Sequence, residues 1–63
     1  MWYAVYEEED GSGDRFVMEV DAGVTPPIHV IFDDVITAER ISIPFEAASL
    51  NDAANDAEQY CFL

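Results

Sequence analysis

Apolar residues follow a β-like period through most of this chain and a helix-like period at its end. Residues 2–6, "WYAVY", are apolar without a break, and residues 15–20, "RFVMEV", set Phe16, Met18 and Val20 against Arg15, Val17 and Glu19. Two such β-rich runs around the polar, Gly-containing stretch "EEEDGSGD" predict a β-hairpin. "DAGVTPP", residues 21–27, predicts a turn stiffened by consecutive prolines.

Two patterns compete in the middle. Ile28, Ile31, Phe32, Val35 and Ile36 stand at helical spacing, with Thr25 before Pro26 as a possible cap. The same stretch is rich in Val, Ile and Thr, and Asp33-Asp34 would serve as a turn between "IHVIF" and "VIT", which favours strands. "RISIPF", residues 40–45, predicts a strand with Ile41, Ile43 and Phe45 on one face and Pro44 at an edge or strand end.

The last segment predicts a helix, with Ser49 as N-cap and Asp52 three residues on. Leu50, Ala53, Ala54, Ala57, Tyr60 and Cys61 form its apolar stripe, opposite Asn51, Asp52, Asn55, Asp56, Glu58 and Gln59. The predicted fold class is α+β: one domain over residues 1–63, a small antiparallel sheet of three to four strands with a C-terminal helix packed on one face.

Length and charge change this picture. A chain of 63 residues buries only about 60% of its unfolded surface on folding, so its stability margin is thin. Its 51% apolar content, with eight aromatic residues, is nevertheless enough for a compact core. Against this stands a net charge of −12, from 14 Asp and Glu and two Arg, with no Lys. Such self-repulsion opposes folding, and solubility asks for a charge of only about 2 to 8 in magnitude. The excess points to a functional charge or to an acidic, salt-adapted proteome.

A single cysteine, Cys61, excludes an intramolecular disulfide. With no signal-peptide pattern and no run of roughly 18 apolar residues, the expected setting is cytoplasmic.

Candidate chemistry narrows quickly. Aligning Gly13 with the invariant glycine of an EF-hand offers Glu8, Asp10, Ser12, Asp14 and Glu19 as calcium ligands. Arg15, however, takes a position that is usually apolar, and a β-like run replaces the entering helix. His29 and Cys61 are the only soft or nitrogen donors and each is single, so no zinc or iron site is expected. They read as an ordinary strand or turn residue and a small buried group. Neither suggests a catalytic nucleophile and base, so no enzyme and no cofactor are expected. Direct nucleic-acid binding would require a basic patch that Arg15 and Arg40 cannot supply.

What remains is the distributed acid: Glu7, Glu8, Glu9, Asp10 and Asp14 about the hairpin tip, Asp33 and Asp34 as a second pair, and Asp52 and Asp56 one helical turn apart. A nucleic-acid strand presents one anion per about 3.4 Å of duplex axis. A protein surface of the same sign can occupy the Lys/Arg groove that holds phosphates. Each acid alone would be a solvated surface residue; their number, without a single Lys, favours mimicry. An acidic protein-binding module, an antitoxin or phage regulator anchored by exposed Trp2, Tyr3 or Phe62, is the alternative.

The closing segment "ISIPFEAASLNDAANDAEQ", residues 41–59, in a tiny lysine-free acidic chain, resembles the small phage-encoded anti-CRISPR proteins, particularly inhibitors of type I systems. The word "EAASLNDA", residues 46–53, is similar to the strand-to-helix junction of several short phage proteins. The resemblance covers the last third of the chain. It implies binding to a CRISPR effector of the Cascade type in a host bacterial cytoplasm, at the place where target DNA or its adjacent motif is recognised, with type I-C placed ahead of I-F and I-E; a monomer is expected. These inhibitors share little sequence, so no residue role transfers by position.

Overall fold

The structure, a computed structural model, describes residues 1–32 and 34–61; Asp33, Phe62 and Leu63 lie outside the described residues. Its strands are β1 (Trp2–Glu8), β2 (Arg15–Val20), β3 (His29–Phe32), β4 (Ile36–Arg40) and the short β5 (Phe45–Glu46). They form one antiparallel sheet in the order β2-β1-β4-β3, with β5 beside β1. Helix α1 (Leu50–Asp56) follows and tightens into a 3₁₀ turn over Ala57–Gln59. The α+β architecture and the hairpin are those the sequence predicts, and residues 29–32 and 36–40 are strands rather than a helix.

The unbroken apolar run is explained by the position of β1. It is flanked on both edges and covered on both faces, so Tyr3, Ala4, Val5 and Tyr6 are all buried. Tyr3 and Val5 join Ile41, Phe45 and Ala53 in a core beneath the helix, with Val17, Ala57, Tyr60 and Cys61 packed against it. Ala4, Tyr6 and Ala38 face the other way and are covered by Phe16, Met18, Val20 and Val30. No helix covers this second face; the proline loop does, with Pro26 buried and the Tyr6 hydroxyl donating to the Pro27 carbonyl at 2.7 Å. Consecutive prolines thus fix the loop that closes half the core.

Residues 40–45 correct the sequence reading. They are not one strand, and Ile41, Ile43 and Phe45 do not share a face: Ile41 and Phe45 are buried, while Ile43 is 55% exposed. Arg40 lies opposite Tyr6 and Phe45 opposite Tyr3, so three steps along β1 are matched by five on the returning chain and two residues are extra. Pro44, unable to donate to a ladder, sits in that excursion. The Ile41 amide still donates to the Val5 carbonyl at 2.9 Å. In return the Val5 amide donates to the Ser42 hydroxyl oxygen at 2.8 Å, and that hydroxyl donates to the Ile43 carbonyl at 3.0 Å. A side chain therefore stands in for the missing ladder carbonyl.

The helix begins as expected, with Ser49 Oγ accepting from the Asp52 amide at 3.2 Å. Its stripe is narrower than predicted. Ala53 is buried and Ala57 packs on the core, but Leu50 is 55% exposed and Ala54 is exposed. After two turns the 3₁₀ segment, at three residues per turn, breaks the 3.6-residue period and redirects the chain. That turn brings Tyr60 flat against Phe45, with centroids 4.4 Å apart and planes within 3°, and lays Cys61 beside Ser42. Cys61, expected to be buried, is half-buried, its thiol donating to the Ala57 carbonyl at 3.3 Å.

Ser42→Ala tests the excursion directly. It leaves the buried Val5 amide without an acceptor, a loss of about 1–3 kcal/mol. A lowered denaturation midpoint with unchanged m-value is expected, together with faster hydrogen exchange at Val5 than at Tyr3; an unchanged midpoint would contradict the assignment.

Candidate acidic interface at the hairpin end of the sheet

Strand register decides which acids meet. Glu8 opposes Ala38, and the Glu9 amide donates to the Thr37 carbonyl at 2.9 Å, so the β1–β2 tip and the β3–β4 turn leave the sheet at the same end. Glu7, Glu8, Glu9, Asp10, Asp14 and Asp34 are gathered there. Asp33 of the expected set lies outside the described residues. Asp52 and Asp56 come from the helix and belong to neither turn. Their helix starts after β5, which pairs with Trp2 and Tyr3 at the far end of β1, and Asp52 stands in the first helical turn, where the dipole favours a carboxylate. The set drawn from sequence is therefore split, because charge spacing along a chain carries no information about register.

Both turns have local causes. Gly11 and Gly13 take φ of 88° and 74°, a left-handed backbone that strains any side-chain-bearing residue. Asp10 Oδ1 accepts from the Ser12 amide at 2.9 Å, and Ser12 Oγ from the Asp14 amide at 3.2 Å, so the tip is tied by its own side chains. Hydrogen bonding from the Ser12 side chain, and then from the Ser12 amide, holds the Asp10 carboxyl below its ordinary value. Asp34 adopts φ of 60°, which Asp tolerates better than most residues. The calcium set is not assembled: Glu19 opposes Tyr3, far along the hairpin from Glu8, Asp10, Ser12 and Asp14.

The acids of this end differ in how they are engaged. Arg15 Nε donates to Glu7 Oε2 at 3.0 Å, and His29 Nδ1 lies 3.0 Å from Glu9 Oε1. Among the described residues Glu8 has no such ion pair. Partial desolvation, then the charges of Asp10 and Asp14, then a hydrogen bond with the Asp14 carboxyl raise its pKa above the ordinary carboxylate value. The apolar anchors of the alternative reading fare less well, since Tyr3 is buried, Trp2 is half-buried and Phe62 lies outside the described residues. Ile31 and Val35 are instead the exposed apolar groups near the acids, at 70% and 81%.

One row was missed by sequence reasoning. Arg15 opposes Glu7 on β2–β1, Glu7 opposes Glu39 on β1–β4, and Glu39 opposes His29 on β4–β3, so a line of ionisable groups crosses the whole sheet on one face. Glu39 carried no signal in the linear sequence. A turn centred on Asp34 with its pairing counted outward would have set His29 against Glu39.

No protein-family model, no curated protein and no solved structure matches this chain. What the fold and this end define is a small α+β protein with an anionic sheet end, and its reading rests on that geometry. Among the described residues no helix is long and apolar enough to cross a membrane.

His29 titrates above the ordinary imidazole value, chiefly through its hydrogen bond with Glu9, aided by the charges of Glu9 and Glu39 and opposed by partial desolvation. Because the folded pKa is raised, the ion pair's contribution to stability is complete below the unfolded value of about 6.5 and is lost as pH rises through the folded value. An NMR titration in a metal-free buffer should give a raised His29 pKa in the parent chain and a lower one in Glu9→Gln. Equal values would refute the pairing.

Proposed function

We propose that this chain is an inhibitor that presents the acidic end of its sheet to a basic nucleic-acid-binding groove, of the kind by which a type I CRISPR effector complex recognises target DNA. The observation that carries this reading is the convergence of two turns at one end of one sheet, which gathers Glu8, Asp10, Asp14 and Asp34 with counter-charge only at its flanks, on Arg15 and His29. Retaining Glu8 beside Asp10 and Asp14, where partial desolvation and then their charges raise its pKa, runs against the stability of a small domain. A role in binding supplies the reason. Lys and Arg of a phosphate-binding groove would pair with these carboxylates, and opposite fields would speed encounter. The resemblance of residues 41–59 to phage-encoded anti-CRISPR proteins supports the choice of partner, with type I-C first.

A second reading is favoured by exposed Ile31 and Val35: an acidic protein-binding module, an antitoxin or phage regulator, whose apolar contact is rimmed by these acids.

Competition with duplex DNA for a purified type I-C effector complex, followed by mobility shift, separates the two. The parent chain should displace DNA, with apparent affinity falling steeply as salt rises. The triple variant Glu8→Gln, Asp14→Asn, Asp34→Asn should lose roughly tenfold or more, at about 1.4 kcal/mol per tenfold; Asp52→Asn with Asp56→Asn should lose little. Equal displacement by the triple variant, or none by the parent on type I-C, I-F and I-E complexes, would overturn the proposal. Loss confined to Ile31→Ala with Val35→Ala would establish the second reading.

A further inference from the structure

The row across the sheet ends in a cluster that an ion pair alone does not explain. Glu9, His29 and Glu39 come from the end of β1, from β3 and from β4, and one donor atom of each lies within 4.8 Å of the others. The Glu9–His29 contact accounts for two of the three. Glu39 has no hydrogen bond or ion pair among the described residues, although it opposes Glu7 on one side and His29 on the other. A like-charge pair directly across two strands is destabilising, and Arg15, on the far side of Glu7, is already bonded to that residue. With a neutral imidazole, the cluster therefore holds two carboxylates that share no cation.

We infer that Glu9, His29 and Glu39 form a binding site for a first-row transition dication, zinc above all. The donor set selects the ion. Calcium and magnesium take oxygen ligands, whereas an imidazole nitrogen suits zinc, copper, iron and nickel. Two carboxylates and one imidazole leave zinc at least one further position, open to water or to a donor from another molecule.

The geometry is close to what the ion needs. Bonds of about 2.0–2.2 Å put neighbouring ligands roughly 3–3.5 Å apart, and the 3.0 Å between His29 Nδ1 and Glu9 Oε1 falls in that range. The Glu39 carboxylate, within 4.8 Å of the other two donor atoms, would close the remainder by a rotamer change. The backbone is already fixed on all three sides: His29 and Glu39 are a direct cross-strand pair, and the Glu9 amide is held by the Thr37 carbonyl at 2.9 Å. The site does not depend on the inhibitor reading, although a bound dication would reduce the negative charge of the same sheet end.

Calorimetric titration of zinc chloride into the chain, near neutral pH, at physiological salt and in a buffer that does not chelate, tests the assignment. One saturable equivalent is expected, with calcium chloride giving no matching isotherm. His29→Ala and Glu39→Gln should each weaken binding by roughly 10- to 100-fold, while Asp52→Asn with Asp56→Asn leaves it unchanged. The His29 side chain is 66% exposed, so its replacement should preserve the fold, and amide spectra of each variant verify this. As a second readout, zinc should move the His29 ring signals ahead of those of any other residue. Undiminished affinity in His29→Ala, an equal response to calcium, or binding that never saturates would each show general attraction to an acidic surface and overturn the site.

Discussion

The bond from the Val5 amide to the Ser42 hydroxyl holds together the two parts of the sheet that share one edge of β1. Upstream of it β4 pairs with Tyr6, Glu7 and Glu8; downstream β5 pairs with Trp2 and Tyr3, displaced by two residues. A central strand buried on both faces cannot leave an amide unsatisfied without a penalty of about 1–3 kcal/mol, and no backbone carbonyl occupies that position. Ser is small enough to be wholly buried there and carries the one oxygen required. With the excursion closed, Ile41 and Phe45 both reach the core beneath the helix, and Ile43 is released to solvent.

From this closure follows the placement of the helix. Phe45 is fixed opposite Tyr3, and Tyr60 stacks on it at 4.4 Å. Cys61 bridges back to Ser42 itself, so both ends of the last segment are referred to the same point. A helix of seven residues is too short to be stable in isolation. Its order comes from the Ser49 cap, from Ala53 pressed on the core, and from the aromatic stack beyond it. The opposite face is closed by a loop, and its core is Ala4, Tyr6 and Ala38 packed by Phe16, Met18, Val20 and Val30.

The sequence was informative where a residue's role is local. The Gly-containing tip, the proline loop, the turn at Asp34 and the Ser49 cap all depend on the conformational preferences of a few adjacent residues. In the middle of the chain, β-branched content outweighed a helical spacing of Ile and Val, as the strands His29–Phe32 and Ile36–Arg40 show. Residues 40–45 misled because alternation of Ile41, Ile43 and Phe45 is also produced by a strand that leaves and rejoins a ladder. Only the partner strand's register distinguishes the two. The site was legible in part for the same reason: the acids of one turn are adjacent in sequence, whereas Glu39 and His29 become neighbours of Glu9 through pairing alone.

Register also divides the acids of the sheet end by role. Asp10 is engaged in the turn, Glu7 with Arg15, and Glu9 with His29. Glu8, Asp14 and Asp34 remain without a counter-charge among the described residues, and they flank the row rather than sit in it. Glu8 points to the face opposite Glu7, because successive strand residues alternate. The anionic end thus has two sides. One carries the row from Arg15 to His29, in which opposite charges partly cancel and a cation site forms where they do not. The other carries Glu8 and Asp14, whose carboxyls share a hydrogen bond and have no ion pair among the described residues. Arg40, the cation of that side, stands opposite Tyr6, two residues back along β1 from Glu8, and forms no ion pair with these acids among the described residues, so a basic partner would gain most at the tip, beyond Arg40.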